Sequence, residues 1–82
     1  MELIDTVGDM ISNDYEKRFI AEYNQLKIRK EKLSNMIDKY THNELDFEPV
    51  TPIETLIDQW VCMTKYLSIL STRAMMEGIN LC

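Results

Sequence analysis

The chain has 82 residues, 45% of them hydrophobic, with two glycines, two prolines and a net charge of −5. This composition argues against disorder and predicts one small helical domain over residues 1–82. The negative charge argues against binding a long polyanion such as duplex DNA. No apolar run approaches a membrane span of about 18 residues, and Glu2 and Asp5 replace the basic start of a signal peptide, so we expect a cytosolic protein.

The first segment, residues 1–12, has apolar side chains at helical spacing: Leu3, Ile4, Val7, Met10 and Ile11. This spacing favours a short amphipathic helix. Gly8 and the small length favour a partly frayed arm instead, because short isolated helices are marginal in water. Asn13 is the predicted N-cap of the next helix, with Glu16 completing a capping box.

The long helix is predicted over residues 14–40, because apolar side chains recur there at alternating spacings of four and three. This seam consists of Phe19, Tyr23, Leu26, Leu33, Ile37 and Tyr40. Lys30 interrupts it, and a cation in an apolar seam must find an anion, reach water or mark a register. Seven Lys or Arg and five Asp or Glu fall between Asp14 and Tyr40, so this helix is net positive in an acidic chain.

Residues 41–51 are predicted to be a connection, because Asn43, Pro49 and Pro52 interrupt helical continuity. Apolar side chains within it are expected to fold back over the end of the hairpin: Leu45, Phe47 and Val50. His42 has no cysteine or second histidine nearby, so we expect a solvated side chain and no metal site. Cys62 and Cys82 have neither metal-site nor disulfide spacing and are expected to be free thiols.

The second helix is predicted over residues 52–77, with Thr51 as N-cap, Pro52 at the first helical position and Glu54 as the capping-box acid. Gly78 is expected to end it in a left-handed conformation, with Ile79 packing back. Its seam is continuous: Ile53, Leu56, Trp60, Met63, Leu67, Leu70 and Ala74. Two long helices with matched seams predict an all-α antiparallel hairpin.

The second helix also carries an apolar flank beside its seam, consisting of Ile57, Val61, Cys62, Tyr66, Ile69 and Met76. A single partner helix does not cover so wide an apolar arc. Self-association into a helical bundle is therefore expected. The alternative is that residues 1–12 cover the flank within one chain.

The sequence lacks the motifs of catalysis, with no H-E-x-x-H, phosphate loop, G-x-S-x-G or Cys/His couple. We therefore expect neither an enzyme nor a cofactor.

Aromatic residues interleaved with cations indicate a site for a small nucleotide, because rings stack on bases and cations pair with phosphates. The candidates are Tyr15, Arg18, Tyr23, Lys27, Arg29, Lys30 and Arg73. The residue pattern by itself favours a structural interpretation, with Tyr15 and Tyr23 in the seam and helix-surface pairs such as Asp14 with Arg18.

Two groups of residues resemble a family of phage proteins that sequester cyclic nucleotide signals, including anti-CBASS and anti-Thoeris sponges and small gut-phage proteins. The first group is Glu22, Leu26, Arg29, Lys32, Leu33 and Ile37, and the second is Gln59, Met63, Tyr66, Leu67, Ile69, Leu70 and Arg73. Arg73 and Ala74 with Glu77, Gly78 and Ile79 are similar to the gut-phage members. The resemblance covers residues 14–81.

The resemblance implies a phage-encoded, non-enzymatic sponge acting in the cytoplasm of the infected bacterium. Such proteins form homo-oligomers, often hexamers, that hold cyclic di- or trinucleotides between protomers. By position, Tyr15 would stack on a base, Arg29 and Lys30 would bind phosphates, and Arg73 would belong to a second site. Arg18 is added to these candidate ligand residues from the interleaving of cations and aromatics. The alternatives are a structural or protein-interaction hairpin without a small ligand, and an enzyme accessory.

Overall fold

The computed structural model describes residues 1–81, and these form helices without a strand. A 3₁₀ helix, Leu3–Thr6, continues into a one-turn helix α1, Val7–Met10. The two long helices are α2, Tyr15–Thr41, and α3, Ile53–Glu77. Side-chain contacts join the start of α2 to the end of α3, which makes the pair antiparallel. The predicted all-α hairpin with a short N-terminal helix is confirmed.

The two predicted seams meet along the hairpin, and every apolar seam side chain is buried or half-buried. The central cluster consists of Phe19, Leu26, Leu70 and Ala74, with Leu70 fully buried. Tyr23, Met63 and Leu67 pack against this cluster, as do Ile79 and Leu81 beyond the end of α3. The alternation of three and four residues keeps these side chains on one side of each helix, so packing against one partner removes them from water.

Residues 1–12 pack against α2 and not against α3. Thr6 is the buried residue of the segment; its Oγ1 donates to the Leu3 carbonyl and accepts from Gln25 Nε2 at 2.9 Å. Ala21 and Ile28 are buried on α2 although they lie outside its seam. The apolar flank of α3 stays exposed, so the alternative that residues 1–12 cover it is wrong. The arm also leaves Ile4, Val7, Met10 and Ile11 exposed.

The N-terminal caps of both long helices differ from the prediction by one residue. Asp14, not Asn13, is the N-cap of α2, and its carboxylate accepts from the backbone N–H groups of Glu16 and Lys17. Pro52, not Thr51, takes the N-cap position of α3, and no side chain caps that end. Pro52 has extended ψ of 144°, which places the first helical residue at Ile53.

The end of α3 is fixed by its glycine, as predicted. Gly78 has a φ of 70°, a left-handed conformation that side chains with a Cβ rarely adopt. The Ile79 N–H then donates to the Ala74 carbonyl at 2.8 Å, the long hydrogen bond of a Schellman stop. This geometry turns Ile79 and Leu81 onto the core.

The connection between the long helices covers the hairpin end only in part. Leu45 is half-buried, but Phe47 is 57% exposed and Val50 fully exposed, so the expectation that all three fold back is wrong. His42 is the C-cap of α2, with its Nδ1 2.8 Å from the Asp38 carbonyl oxygen. A carbonyl only accepts, so the Nδ1–H donates to it.

The capping geometry makes a paired prediction. Asp14→Ala should lower the free energy of unfolding by about 1 kcal/mol, because two N–H groups at the start of α2 lose their acceptor. Thr51→Ala should change it by less than about 0.5 kcal/mol, because Thr51 caps no helix in this structure. Urea unfolding followed by circular dichroism measures both. Equal losses in the two variants would contradict the assigned caps.

Candidate functional site

A row of polar side chains runs along one side of the hairpin, and we name it the arginine face. It consists of Tyr15, Glu22 and Arg29 on α2 with Arg73, Tyr66 and Gln59 on α3. Successive members are seven residues apart on each helix, a spacing that returns to nearly the same side. The helices are antiparallel, so seven residues forward along α2 correspond to seven back along α3. Tyr15 therefore meets Arg73, and Glu22 meets Tyr66.

Tyr15, Arg73 and Glu77 form a closed cluster at the open end of the hairpin. The Tyr15 hydroxyl donates to Glu77 Oε1 at 2.8 Å and accepts from Arg73 Nη2 at 3.0 Å. Arg73 Nε lies 3.3 Å from Glu77 Oε2, which closes the triangle. The Arg73 guanidinium also lies 5.1 Å from the centre of the Phe19 ring, a cation–π distance. Two predicted site residues far apart in sequence, Tyr15 and Arg73, are thus brought together.

The cluster leaves its groups accessible and raises the pKa values of Tyr15 and Arg73. Tyr15 is 49% exposed, so it is not the seam residue that the structural interpretation required, whereas Tyr23 packs against the core. The pKa of Tyr15 is raised above its usual value, first because its hydroxyl donates to Glu77. Arg73 acts in the opposite direction on the pKa of Tyr15, but more weakly. The phenol is therefore protonated and the guanidinium charged at neutral pH.

Arg18 lies one turn from Tyr15 on α2 and has a structural contact. Its Nη1 donates to the backbone carbonyl of Ser12 at 2.9 Å, which ties the end of the arm to the first turn of α2. The predicted pair between Asp14 and Arg18 is not among the ion pairs of residues 1–81. Arg18 is exposed.

Lys30 is the cation within the seam, and it finds an aromatic ring instead of an anion. Its Nζ lies 5.2 Å from the centre of the Trp60 ring on α3. The electron-rich ring face compensates part of the lost hydration of the ammonium. Lys30 is half-buried, so its stem packs in the seam while the charge stays close to water. The seam therefore accommodates its one charged position through the contact of the Lys30 ammonium with the Trp60 ring.

Arg29 and Lys30 lie on opposite sides of the seam, although they are adjacent in sequence. Arg29 and Gln59 line a cavity of about 370 Å³ on the arginine face. Lys30 lines a separate groove of about 200 Å³ with Lys27 and Trp60. Consecutive residues of an α-helix point about 100° apart, which accounts for the separation. A ligand in either cavity of one chain therefore contacts one of these two cations and not both, although they are adjacent in sequence.

The sequence pattern did not identify Glu22 of the arginine face, or Glu77 beside that face, as site residues. Both carboxylates accept hydrogen bonds from tyrosines on the other long helix, Glu77 from Tyr15 and Glu22 from Tyr66. The sequence does contain a signal for the pair on each helix, because Tyr15 and Glu22 are seven residues apart and so are Tyr66 and Arg73. Which residues pair across the two helices depends on the helix register. The seam spacing permits several registers that differ by whole helical turns.

The remaining chemistry-bearing residues form no second centre within residues 1–81. No group of three or more His, Cys, Asp or Glu there could hold a metal ion. Cys62 is a free, exposed thiol; the prediction for Cys82 lies outside the described residues. None of the helices in this range is long and apolar enough to cross a membrane.

A family model named Sequestin matches residues 13–76, which is more than half of the chain. The chain belongs to the Sequestin family. Sequestin is the phage cyclic-oligonucleotide sponge family that the two groups of helix residues resemble. Its name denotes sequestration and not catalysis. The matched range contains α2, α3 up to Met76 and the whole arginine face, whereas the arm lies before it and Glu77 directly after it. Neither a curated protein nor a solved structure matches the chain.

The seam position of Lys30 allows a stability prediction. Lys30→Met should keep the free energy of unfolding within about 1 kcal/mol of the parent, because a sulfur–aromatic contact replaces a cation–π contact of similar size. Thermal unfolding measures this, and emission of Trp60, the only tryptophan, should change. Lys27→Met, in the same groove but exposed, is the control and should leave Trp60 emission nearly unchanged. A loss of 3 kcal/mol or more would indicate that Lys30 pairs with a buried anion.

The raised pKa of Tyr15 predicts a pH dependence of stability. A raised pKa in the folded state stabilises the fold fully below the ordinary value, 10.0, and that contribution is lost as pH rises through the raised value. The difference in melting temperature between the parent and Tyr15→Phe should therefore shrink from pH 8 to pH 11. Using the difference removes the effect of lysines that titrate in the same range. Parallel curves for the two proteins would contradict the contact with Glu77.

Proposed function

We propose that this Sequestin protein is a phage-encoded sponge that binds cyclic di- or trinucleotide immune signals of the bacterial host and holds them without cleavage. The observation that carries the proposal is the pairing of a half-exposed ring, Tyr15, with the Arg73 guanidinium at the open end of the hairpin. A ring face can stack on a base, and a guanidinium can pair with a phosphate. Membership of the Sequestin family supports a sequestering role.

Arg73 keeps donors for a phosphate after its internal contacts are made. A guanidinium has five N–H donors. One donates from Nε to Glu77 and one from Nη2 to Tyr15. The other three can make the first contact with a phosphate, whereas bidentate binding through Nε and an Nη needs the Nε–H that Glu77 holds. Arg73 is thereby the principal phosphate ligand of the proposed site, with Tyr15 as the base-stacking ring and Arg18 beside them.

The site is built for holding a ligand and not for cleaving it. Hydrolysis of a phosphodiester needs an activated nucleophile or water, with a base to take its proton. The only hydroxyl in the cluster is that of Tyr15, whose raised pKa keeps it protonated. Its donor bond to Glu77 stabilises the neutral phenol, so the phenolate is a poor candidate for attack.

We place the complete pocket between protomers. Tyr15 and Arg29 are fourteen residues apart, about 21 Å along a helix, so one chain cannot bring both to the same phosphate. A second chain packed on the exposed apolar flank of α3 could supply Arg29 or Lys30 beside Tyr15 and Arg73 of the first. The flank also gives the reason for a homo-oligomer, such as a hexamer, since exposed apolar patches mark interaction surfaces.

A structural or protein-interaction hairpin without a small ligand is the second candidate. The same exposed flank favours it, because Ile57, Val61 and Ile69 could equally contact a different protein. The two candidates differ in whether a nucleotide binds and in whether Arg73 is needed.

The test is calorimetric titration of the protein with a panel of cyclic di- and trinucleotides, beside native mass spectrometry that reports assembly and ligand together. Arg73→Gln should weaken binding by about 1.5 to 3 kcal/mol, the range for a hydrogen bond to a charged group. Lys65→Gln removes one charge from an exposed position on the same helix and should leave the affinity within about twofold. Intact ligand should be recovered after denaturation.

Absence of binding to every cyclic nucleotide by a well-folded oligomer would overturn the sponge and leave the structural hairpin. A monomer at micromolar concentration would separately overturn the pocket between protomers. Equal losses in Arg73→Gln and Lys65→Gln would show that the net charge, and not the Tyr15 cluster, attracts the ligand.

A further inference from the structure

Glu77 holds the place at Arg73 that an anion from solution would take. Its Oε2 lies 3.3 Å from Arg73 Nε and its Oε1 accepts from the Tyr15 hydroxyl at 2.8 Å. A carboxylate and a phosphate present similar oxygens to a guanidinium, and both carry negative charge. The cluster is therefore a cation site already occupied by an anion of the same chain.

The contact between Glu77 and Arg73 is partial, which leaves it open to exchange. A single nitrogen, Nε, contacts the carboxylate, so this is not the two-bond fork of the strongest Arg–carboxylate pairs. The Arg73 side chain keeps 46% and the Glu77 side chain 35% of its surface exposed. Exposed pairs of this kind contribute little to stability because water and salt screen them. A phosphate that approaches Arg73 can displace the carboxylate at small cost to the fold.

The backbone keeps Glu77 next to the site even when its side chain moves away. Glu77 is the last residue of α3, and the left-handed Gly78 with the Ile79-to-Ala74 hydrogen bond fixes the chain directly after it. Ile79 and Leu81 anchor that stop on the core. The carboxylate consequently remains near any bound phosphate, where like charges repel each other.

A second tyrosine–carboxylate pair, Tyr66 with Glu22, lies on the arginine face and differs from the Tyr15–Glu77 pair in lacking an arginine from the described part of the chain. Glu22 accepts from Tyr66 across the same two helices, one repeat along the hairpin. The ion pairs and ring contacts of residues 1–81 place no arginine on that pair. A tyrosine–carboxylate bond thus forms on this face without a guanidinium, and Arg73 distinguishes the Tyr15–Glu77 pair from it.

We propose that Glu77 is an internal competitor that occupies Arg73 in the empty protein and must be displaced by the phosphate of the ligand. The inference rests on the proposed function in taking that ligand to be a cyclic oligonucleotide. Binding is then an exchange of one anion for another at Arg73, and the carboxylate sets the affinity below what the guanidinium alone would give. Ligands with more negative charge at this end displace Glu77 more readily.

The test compares Glu77→Gln with the parent, because glutamine keeps the shape and one acceptor oxygen while it removes the charge. Titration with the cyclic nucleotide panel should give affinity higher by about threefold to tenfold in Glu77→Gln, the size expected for one nearby like charge in a solvent-exposed site. Glu48→Gln in the connection removes the same charge at the other end of the hairpin and is the matched control. The gain should vanish when Arg73→Gln is combined with Glu77→Gln.

A second probe, inorganic pyrophosphate, separates this inference from the sponge function. Nuclear magnetic resonance follows the Arg73 Nε–H signal during the titration, and the signal should respond at lower pyrophosphate concentration in Glu77→Gln than in the parent. If no cyclic nucleotide binds but this difference is found, the sponge function fails and the competitor stands.

Two results overturn the competitor. Affinity that is unchanged or lower in Glu77→Gln, for a cyclic nucleotide that the parent binds, would show that Glu77 orients Arg73 instead of competing. An equal gain in Glu48→Gln would show that only the net charge of the protein matters. Melting curves accompany each variant, and Glu77→Gln should melt close to the parent because its ion pair is exposed.

Discussion

The packing of α2 on α3 fixes the register on which every other feature depends. Phe19 and Leu26 on α2 bury against Leu70 and Ala74 on α3, and Leu70 is fully removed from water. A slide of one helical turn would move each side chain by about 5.4 Å and open the seam. The same register places Arg73 over Phe19 and against Tyr15. The core and the candidate site are therefore set by one contact surface.

The one charge in the seam is tolerated because its partner is a ring. Lys30 faces Trp60, whose body still packs as an apolar seam residue. An anion partner would have required a second charge to lose its hydration, which costs several kcal/mol. A ring avoids this cost. Lys30 and Trp60 also line a groove with Lys27 and Ser34 on the side opposite the arginine face. The hairpin thus has two chemically different sides, one with arginines and tyrosines and one with lysines and an indole.

The arm and the apolar flank both carry apolar surface that stays exposed within residues 1–81. Thr6 of the arm is buried, as are Ala21 and Ile28 of α2, while Ile4, Val7, Met10 and Ile11 of the arm are exposed. The flank of α3 is exposed on a different helix. These surfaces agree with the proposal that the pocket is completed between copies. Arg29 lies about 21 Å from Tyr15 along α2, so in that proposal a second copy supplies the cation beside Tyr15.

The sequence by itself determined the two long helices, both seams and the stop at Gly78, because these depend on spacing and on the conformations single residues allow. It also named Tyr15 and Arg73 as candidates. Only the tertiary structure decided that these two meet, that Arg29 and Lys30 separate, and that Glu77 joins the cluster. A periodic seam fixes which side of a helix is buried but leaves its offset against the partner undefined by whole turns. The caps at Asp14 and Pro52 were likewise decided by backbone angles, which differ between neighbouring residues of similar capping propensity.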